Sequence, residues 1–309
     1  MAETTLFEQS KLIKNPQAVE VANVFATSFV PMGLLSFETI SGFHKPLTIV
    51  DTLPTVAPRD FLADYTSDFG KSSTYNIPWK NYGGKLEIDK ALRKGNPSGA
   101  VDQELMQIQA IAKKWTTDMF EGAGGTSLLG IKSYIANLFP GQKISAGSTS
   151  GGDLLTMAMM DDAMDQIADS GNKAIFVTKK VRQRLTYLAR TNAAGQQNIQ
   201  YTVDAFGAKV LSYYNVPIYV MLDAYTGNDL LSTTELDDGA GASTTSSVYV
   251  VSFGSDTVTG FSPSAQTLEI ETANPGTHAE ITRLEMNAGI AMKQPRAAVR
   301  ISSVKQSVT

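Results

Sequence analysis

The chain contains no cysteine. That absence removes disulfides, thiolate metal sites and thiol nucleophiles together, and it leaves the redox compartment unread. Histidine is almost as scarce. His44 and His278 lie far apart, with no Asp or Glu at ligand spacing, so a structural role is expected for both. A basic excess is missing too: 26 Lys and Arg stand against 30 Asp and Glu, for a formal net charge of −4. A surface built mainly to hold nucleic acid should be basic. The start, MAETTLFEQSKLIKN, lacks a basic stretch followed by an apolar run, so no targeting signal is expected. The uncharged stretch VANVFATSFVPMGLLSF, residues 21–37, is interrupted by Asn23, Thr27, Ser28, Pro31 and Gly33. It falls short of the about 20 mostly apolar residues that a membrane span needs, and is expected to pack on protein. There is no internal repeat and no Gly-x-Ser-x-Gly nucleophile elbow.

What is present suffices for a core. The apolar fraction is 42% and the charged fraction 18% over 309 residues, enough for one large domain or two ordinary ones. Residues 46–82 are rich in Pro, Thr, Asp and aromatics. TVAPRDFLADY and STYNIPW read there as two strands around a turn at TSDFGK, a long two-stranded excursion too poor in apolar residues to hold its own core. GKLEIDKAL (84–92) follows, and RKGNPSG reads as a break. A long helix comes next. Val101, Leu105, Ile108, Ala112, Trp115 and Met119 are spaced 4, 3, 4, 3, 4, a narrow apolar seam. Residues 100–121 would span about 33 Å as a helix, and GAGG (122–125) supplies a C-cap. A helix is expected over 153–168, with Leu154, Met157, Met160, Met164 and Ile167 on one face and GSTSGGD as its cap. KAIFVT, VPIYVML and SVYVVSFG read as buried strands. Lys179–Arg190 reads as a helix apolar at Val181, Leu185 and Leu188, and LDDGAGASTTSS (236–247) as an exposed loop. QTLEIET and HAEITRLEM form a hairpin around ANPGT, and RAAVRISSV closes the chain as a strand.

Each chemical motif has a plainer competitor. The run GSTSGGD (Gly147–Asp153) could hold an anion at a helix N-terminus, but it lacks the Lys-Ser/Thr ending of a phosphate loop. Asp161, Asp162 and Asp165 could gather a divalent ion, though a solvated face is the expected reading. Lys179, Lys180, Arg182, Arg184 and Arg190 make a basic helix face, read as a salt-bridge surface between subunits rather than a nucleic-acid site. The Met157, Met160, Met164 stripe fills core. No catalytic constellation emerges. An arm, a long hairpin and a thin-seamed helix cannot all be satisfied within one subunit, and such elements imply neighbours.

The order of these parts resembles the Hong Kong 97-type major capsid proteins of tailed bacteriophages over nearly the whole chain. TLPTVAPRDF (52–61) resembles the opening of that family's extended E-loop, and GGKLEIDKAL (83–92) its return into the peripheral, or P, domain. VDQELMQIQAIAKKWTTDMFEG resembles the spine helix, and SLLGI (127–131) the entry to the axial, or A, domain. YYNVPIYVMLDAY (213–225) resembles the strand with a G-V-P-I motif, with Asn215 where Gly is usual. EITRLEMNAGIAMKQPRAAVRI (280–301) resembles the closing segment, with Met286 at the usual Trp position.

The resemblance implies an α+β fold of that type. It would have an N-terminal arm (1–30), a P domain begun at 31–47, an E-loop hairpin (48–83) and a P domain with spine helix (84–122). An A domain (123–262), P-domain strands and P-loop (263–293), and a return strand (294–309) would follow. Arg59, Phe61, Tyr65, Lys71, Tyr75 and Trp79 would then meet a neighbouring subunit, the helix stripe would cover the P-domain strands, and Asn274, Pro275 and Gly276 would form the P-loop tip. The implied partners are further copies as hexamers and pentamers, a portal, a decoration protein and packaged double-stranded DNA contacted non-specifically. Scaffolding is expected as a separate protein, the other openings being that none is needed or that the chain is processed. No catalytic residue, metal, cofactor or membrane is implied. Lys71 and Lys80 lie where some relatives cross-link, but no matching Asn or activating Glu is identified. The alternatives are an encapsulin-type nanocompartment shell and a soluble α/β enzyme with an anion site at Gly147–Asp153.

Overall fold

Strand-forming and helix-forming runs separate cleanly in the computed structural model, which describes residues 4–5, 30–148, 151–168, 170–191, 198–203, 209–223, 226–235, 244–264, 268–273 and 278–308. The first elements are β1 (Thr4–Thr5), α1 (Val30–Leu34), β2 (Ser36–Thr39), β3 (His44–Thr52), β4 (Lys71–Pro78) and β5 (Lys80–Asp89). Then come α2 (Lys90–Gly95), α3 (Pro97–Glu121), α4 (Ile131–Asn137), β6 (Lys143–Ser145), α5 (Met157–Gln166), β7 (Asn172–Val177) and α6 (Lys179–Thr191). The remainder is strand: β8 (Ile199–Val203), β9 (Lys209–Tyr213), β10 (Val216–Val220), β11 (Thr245–Phe253), β12 (Val258–Ser262), β13 (Leu268–Ala273), β14 (Ala279–Met292) and β15 (Ala298–Lys305). None of the described helices is long and apolar enough to cross a membrane.

One branched sheet carries the body. Its main path runs β1-β2-β12-β11-β7-β10-β9-β8. β15 lies antiparallel to β11 and parallel to β6, while β14 reaches from β12 to β13 and β5. β11 is buried along all nine residues because both faces are covered. Its odd and even side chains divide between two cores. Tyr249, Val251 and Phe253 join the core under α3 and α4; Val248 and Val250 join the core under α5 and α6. This is why SVYVVSFG and KAIFVT read as continuous apolar runs instead of alternating ones. The segment around α1 packs on protein, with Met32, Leu35 and Phe37 buried. Of the expected arm, only Thr4 and Thr5 (pairing with Phe37 and Ser36 of the same chain) and Val30 are described; the rest lies outside the described residues.

The long helix differs from expectation at both ends. The break in RKGNPSG is confined to Asn96: α2 runs through Arg93 and Lys94 to Gly95, and α3 starts at Pro97, where a missing N–H costs nothing in a first turn. Ile108, Ala112, Trp115 and Met119 are buried, Leu105 is half-buried, and the side chain of Val101 lies outside the described residues. The narrow seam describes only the first half. Ile111, Thr116, Asp118 and Phe120 are also buried, because α4 and the connection before it wrap the C-terminal end. Phe120 packs against Phe176 and Tyr249, with ring centroids 5.0 and 5.2 Å away. The wrap needs glycine: a Cβ on Gly122 would meet the Leu128 carbonyl oxygen at 2.2 Å.

Two further expectations are corrected. α5 starts at Met157, not Asp153; its cap is the Thr156 hydroxyl, which accepts from the Met159 N–H at 3.3 Å. The excursion does have two antiparallel strands, but they are β3 and β4, paired from His44↔Pro78 to Thr52↔Lys71. TVAPRDFLADY forms no strand. Pro54 and Pro58 remove ladder donors, and the apolar residues there do not alternate.

Candidate functional site

The sequence motifs with possible chemistry are not assembled into a site. His44 is exposed on β3 and His278 is exposed before β14. In Gly147–Asp153, residues 149–150 lie outside the described residues. No helix begins there, and the Asp153 carboxylate fills the space beside Gly147, which opposes the alternative of an anion site. Asp161 accepts a hydrogen bond from the Tyr213 hydroxyl, while Asp162 and Asp165 face solvent. Among the described residues, no group of three or more carboxylates and histidines could hold a metal ion. Met160 is buried, and Met157 and Met164 pack against the same core.

The ribbon β3–β4 behaves differently from the body. At its root Lys45, Leu47 and Ile77 are buried. Beyond them the connection 53–70 is exposed throughout, and Leu53, Val56, Phe61, Leu62, Tyr65 and Phe69 extend into solvent. The tip is nevertheless ordered by polar contacts. The Thr55 and Phe69 N–H groups donate to the two oxygens of Asp68, each at 2.8 Å, and hold its carboxyl below the usual range. Arg59 donates to the Ala63 carbonyl at 2.7 Å and lies over the Tyr65 ring at 5.0 Å, and Leu62 has a left-handed φ of 69°. A group of large apolar side chains held in solvent on one loop is the usual mark of a surface made to be covered. Each side chain gains about 1.5–3 kcal/mol on full burial.

Of the sequence-predicted ribbon residues, Arg59, Phe61, Tyr65 and Lys71 are exposed, and Tyr75 is 39% exposed. Trp79 packs instead in its own subunit. Its indole N–H donates to the Gly42 carbonyl at 3.1 Å and its ring stacks on Phe43 at 6.2 Å. Lys80 donates to the Gly125 carbonyl. Leu53, Val56, Leu62 and Phe69 were not singled out from sequence; their signal was an apolar set interleaved with Pro and Asp, without a period. Asn274, Pro275 and Gly276 lie outside the described residues, although the arms leading to them pair as far as Ala273↔Ile281.

The ribbon's root is anchored by charge. Glu38 pairs with Lys45 at 2.5 Å and with Lys293 at 2.6 Å. Burial works to raise the Glu38 carboxyl, and the bonds from Lys293 and Lys45 outweigh it and hold the group below its ordinary value. On β5, the Tyr82 hydroxyl donates to Asp118 of α3 at 2.8 Å and accepts from the Leu128 N–H at 3.0 Å. Burial, then the bond to Asp118, push that hydroxyl well above the ordinary tyrosine range.

A second polar cluster lies inside the body. Arg300, in the middle of β15, reaches Glu235 at 3.2 Å and the Ser247 hydroxyl at 2.8 Å. Lys132 of α4 reaches the other Glu235 oxygen at 2.9 Å. Ser247 also donates to Glu235. Glu121, the last residue of α3, accepts from the Ser232 N–H. Burial, with Glu235 nearby, raises the Glu121 carboxyl above its ordinary value. These residues tie the end of α3, α4, β11 and β15 into one unit. Such a buried pair adds little net stability, while removing one partner so that a charge is left unpaired costs about 3–5 kcal/mol.

The arrangement holds a rigid body and presents an apolar ribbon tip from it; it offers no reacting centre among the described residues. No family model and none of the curated proteins compared matches the chain. Solved structures do. The holo-SrpI encapsulin complex from Synechococcus elongatus is 12% identical over 90% of this chain and 88% of that one, with a TM-score of 0.61. The capsid of an empty GTA particle is 11% identical over 89% of both chains, with a TM-score of 0.57. A structure of Mycobacterium phage Bobi is 10% identical over 88% of this chain and 89% of that one, with a TM-score of 0.56. With its α+β make-up, its long helix on long strands and its mixed sheet, the chain therefore has the Hong Kong 97-type capsid fold.

Proposed function

We propose that this chain is a shell subunit, and that many copies close into the icosahedral head of a tailed double-stranded DNA bacteriophage. The observation that carries the reading is the tip at residues 53–70, which holds large apolar side chains in solvent on an ordered polar scaffold. In this reading β3, β4 and their connection are the E-loop. Arg59, Phe61, Tyr65, Lys71 and Tyr75 meet the neighbouring subunit, and residues 274–276 meet their equivalents around local threefold positions. The long strands with α3 form the P domain, and the mixed sheet forms the A domain. A separate scaffolding protein, a portal and a decoration protein complete the particle, which assembles in the host cytoplasm. The acidic balance of the chain suits a head filled by a motor, because a coat that condensed its genome by charge should be strongly basic. Permanent interfaces of this kind run to thousands of Å².

A nanocompartment shell is the second reading, favoured by the likeness to an encapsulin at a TM-score of 0.61. The two are separated by what native particles contain: nucleic acid supports the head, cargo protein the nanocompartment. The shared reading is tested by sedimentation and electron microscopy of the purified full chain, with and without scaffold. Rings or closed shells are expected. A species of 33.2 kDa alone under all assembly conditions overturns it.

A further inference from the structure

The tip at residues 53–70 is closed twice, once at its base and once at its apex. At the base, Asp68 stands between the two arms. Its Oδ2 accepts from the Thr55 N–H and its Oδ1 from the Phe69 N–H, each at 2.8 Å, so one carboxylate ties the outgoing arm to the returning one. The arms run close together there: a Cβ on Gly70 would lie 3.0 Å from the Thr52 carbonyl oxygen and 3.1 Å from Pro54 Cδ. At the apex, the Ala63 N–H donates to the Asp60 carbonyl at 3.2 Å, and Arg59 donates to the Ala63 carbonyl from its place over the Tyr65 ring. That turn holds Leu62 at a φ of 69°, a conformation that residues other than glycine adopt rarely. Pro54 and Pro58 fix φ at two further positions. None of this order comes from burial, since residues 53–70 are exposed throughout. An exposed loop of this length with no core beneath it otherwise samples many conformations, and each ordered residue costs entropy.

We propose that Asp68 is a positioning residue for assembly: its carboxylate preforms the tip, so that Phe61, Leu62, Tyr65 and Phe69 reach a second copy of the chain already in their docking arrangement. The proposal rests on the shell reading and adds to it a residue that makes no contact with the neighbour. Asp68 acts through the loop's own backbone, because each of its oxygens already holds an N–H of the tip. The gain is entropic. A loop ordered in the free subunit loses less freedom on docking than a loose one, and the difference appears as affinity. A carboxylate suits the task better than a neutral acceptor. Hydrogen bonds to a charged oxygen are the stronger kind, and a carboxylate has two oxygens that only accept, so it serves two donors at once. The clasp is also independent of the body: both of its bonds close within the tip, so it orders the loop without supporting the subunit's core.

The test compares the wild-type full chain with Asp68→Asn, which keeps one acceptor oxygen, and Asp68→Ala, which keeps none. The readouts are the thermal midpoint, the rate of tryptic cleavage after the exposed Arg59 in the unassembled chain, and the lowest protein concentration that gives particles by light scattering. The midpoint should be the same for all of them, since Asp68 is exposed. Cleavage should be about five- to tenfold faster in Asp68→Ala, because proteases nick loosened loop tips. The concentration threshold for particles should rise by a similar factor, with Asp68→Asn between the two in both readouts. Unchanged cleavage overturns the proposal, whatever the threshold does, because Asp68 then does not order the tip. Faster cleavage with an unmoved threshold overturns it as well, because order in the tip would then be irrelevant to docking. A lowered midpoint in Asp68→Ala overturns it by making the clasp part of the subunit's own stability. A wild type that forms no particles overturns the shell reading and the docking role with it, while the cleavage series still decides whether Asp68 orders the tip.

Discussion

β11 and β3, the first strand of the ribbon, are of equal length and opposite fate. All nine residues of β11 are buried, with side chains divided between two cores. In β3 only Lys45 and Leu47 are buried, and the tip it leads to has none of its apolar side chains covered. The body has sheets covered on both faces and buried ion pairs that set its geometry. The ribbon has hydrogen bonds along its own ladder, Leu47 and Ile77 buried at its root, and tip apolar residues left in solvent. The contrast separates two kinds of stability. Burial within the body holds the subunit, and the ribbon's tip leaves its apolar side chains open to a partner.

The sharpest way to break the comparison is to replace residues 53–70 with a short Gly-Ser linker. The subunit's denaturation midpoint should stay within about 0.5 kcal/mol, since loop closure depends weakly on length. Shells should be absent by electron microscopy, because the loss repeats at every contact. Normal shells would remove the tip from the interface; an unfolded subunit would place it in the core. On the body side, Trp115→Ala should cost the subunit about 3–5 kcal/mol in chemical denaturation. Gln103→Ala, exposed on the same helix, should change it by less than about 0.5 kcal/mol. Equal shifts would mean that the helix is not packed as described. Lys113 is a poor control for this purpose, since it pairs with the buried Asp223 at 2.7 Å.

The buried ion cluster sharpens the comparison further. Arg300→Ala should destabilise the subunit, by up to about 3–5 kcal/mol, by leaving the buried Glu235 with Lys132 and the Ser247 hydroxyl alone. Unaltered stability would show that Lys132 and the Ser247 hydroxyl suffice to hold Glu235. The smallest effect expected is at Glu121. Its folded pKa is raised, so the charged form carries a penalty at pH 7 that fades as pH falls through the raised value toward the ordinary 4.5. Glu121→Gln keeps an acceptor for the Ser232 N–H and removes that charge. It should raise the midpoint slightly at pH 7, with the difference vanishing in acid. A lowered midpoint at pH 7 would mean that the carboxylate is favoured by Lys132 and Arg300 after all.

Much of the body was legible before folding. SVYVVSFG, KAIFVT and VPIYVML carry the uninterrupted apolar runs of covered strands, and α6 shows its buried face at Val181, Leu185 and Leu188. The seam through Ile108, Ala112, Trp115 and Met119 was readable as period alone. The second buried face, at Ile111, Thr116 and Phe120, was not, because it depends on α4 folding back over the helix. The ribbon's second strand was legible at STYNIPW, but its first was misplaced into TVAPRDFLADY, since local β-type content cannot reveal which segment finds a partner. The Arg300–Glu235 pair left only a faint trace, a lone charge in an apolar strand.

The sequence by itself determined which segments must be buried, because a period of 2, a period of 3.6 or an unbroken apolar run is a property of neighbouring residues. It also determined that thiol chemistry is absent. Only the tertiary structure decided what each buried face packs against, where the ribbon's register begins, and that Trp79 turns inward while Phe61 stays in solvent. Those outcomes depend on contacts between residues far apart in the chain. Arg300 and Glu235 are 65 positions apart, and Tyr82 and Asp118 are 36 apart, and no local pattern encodes such a meeting.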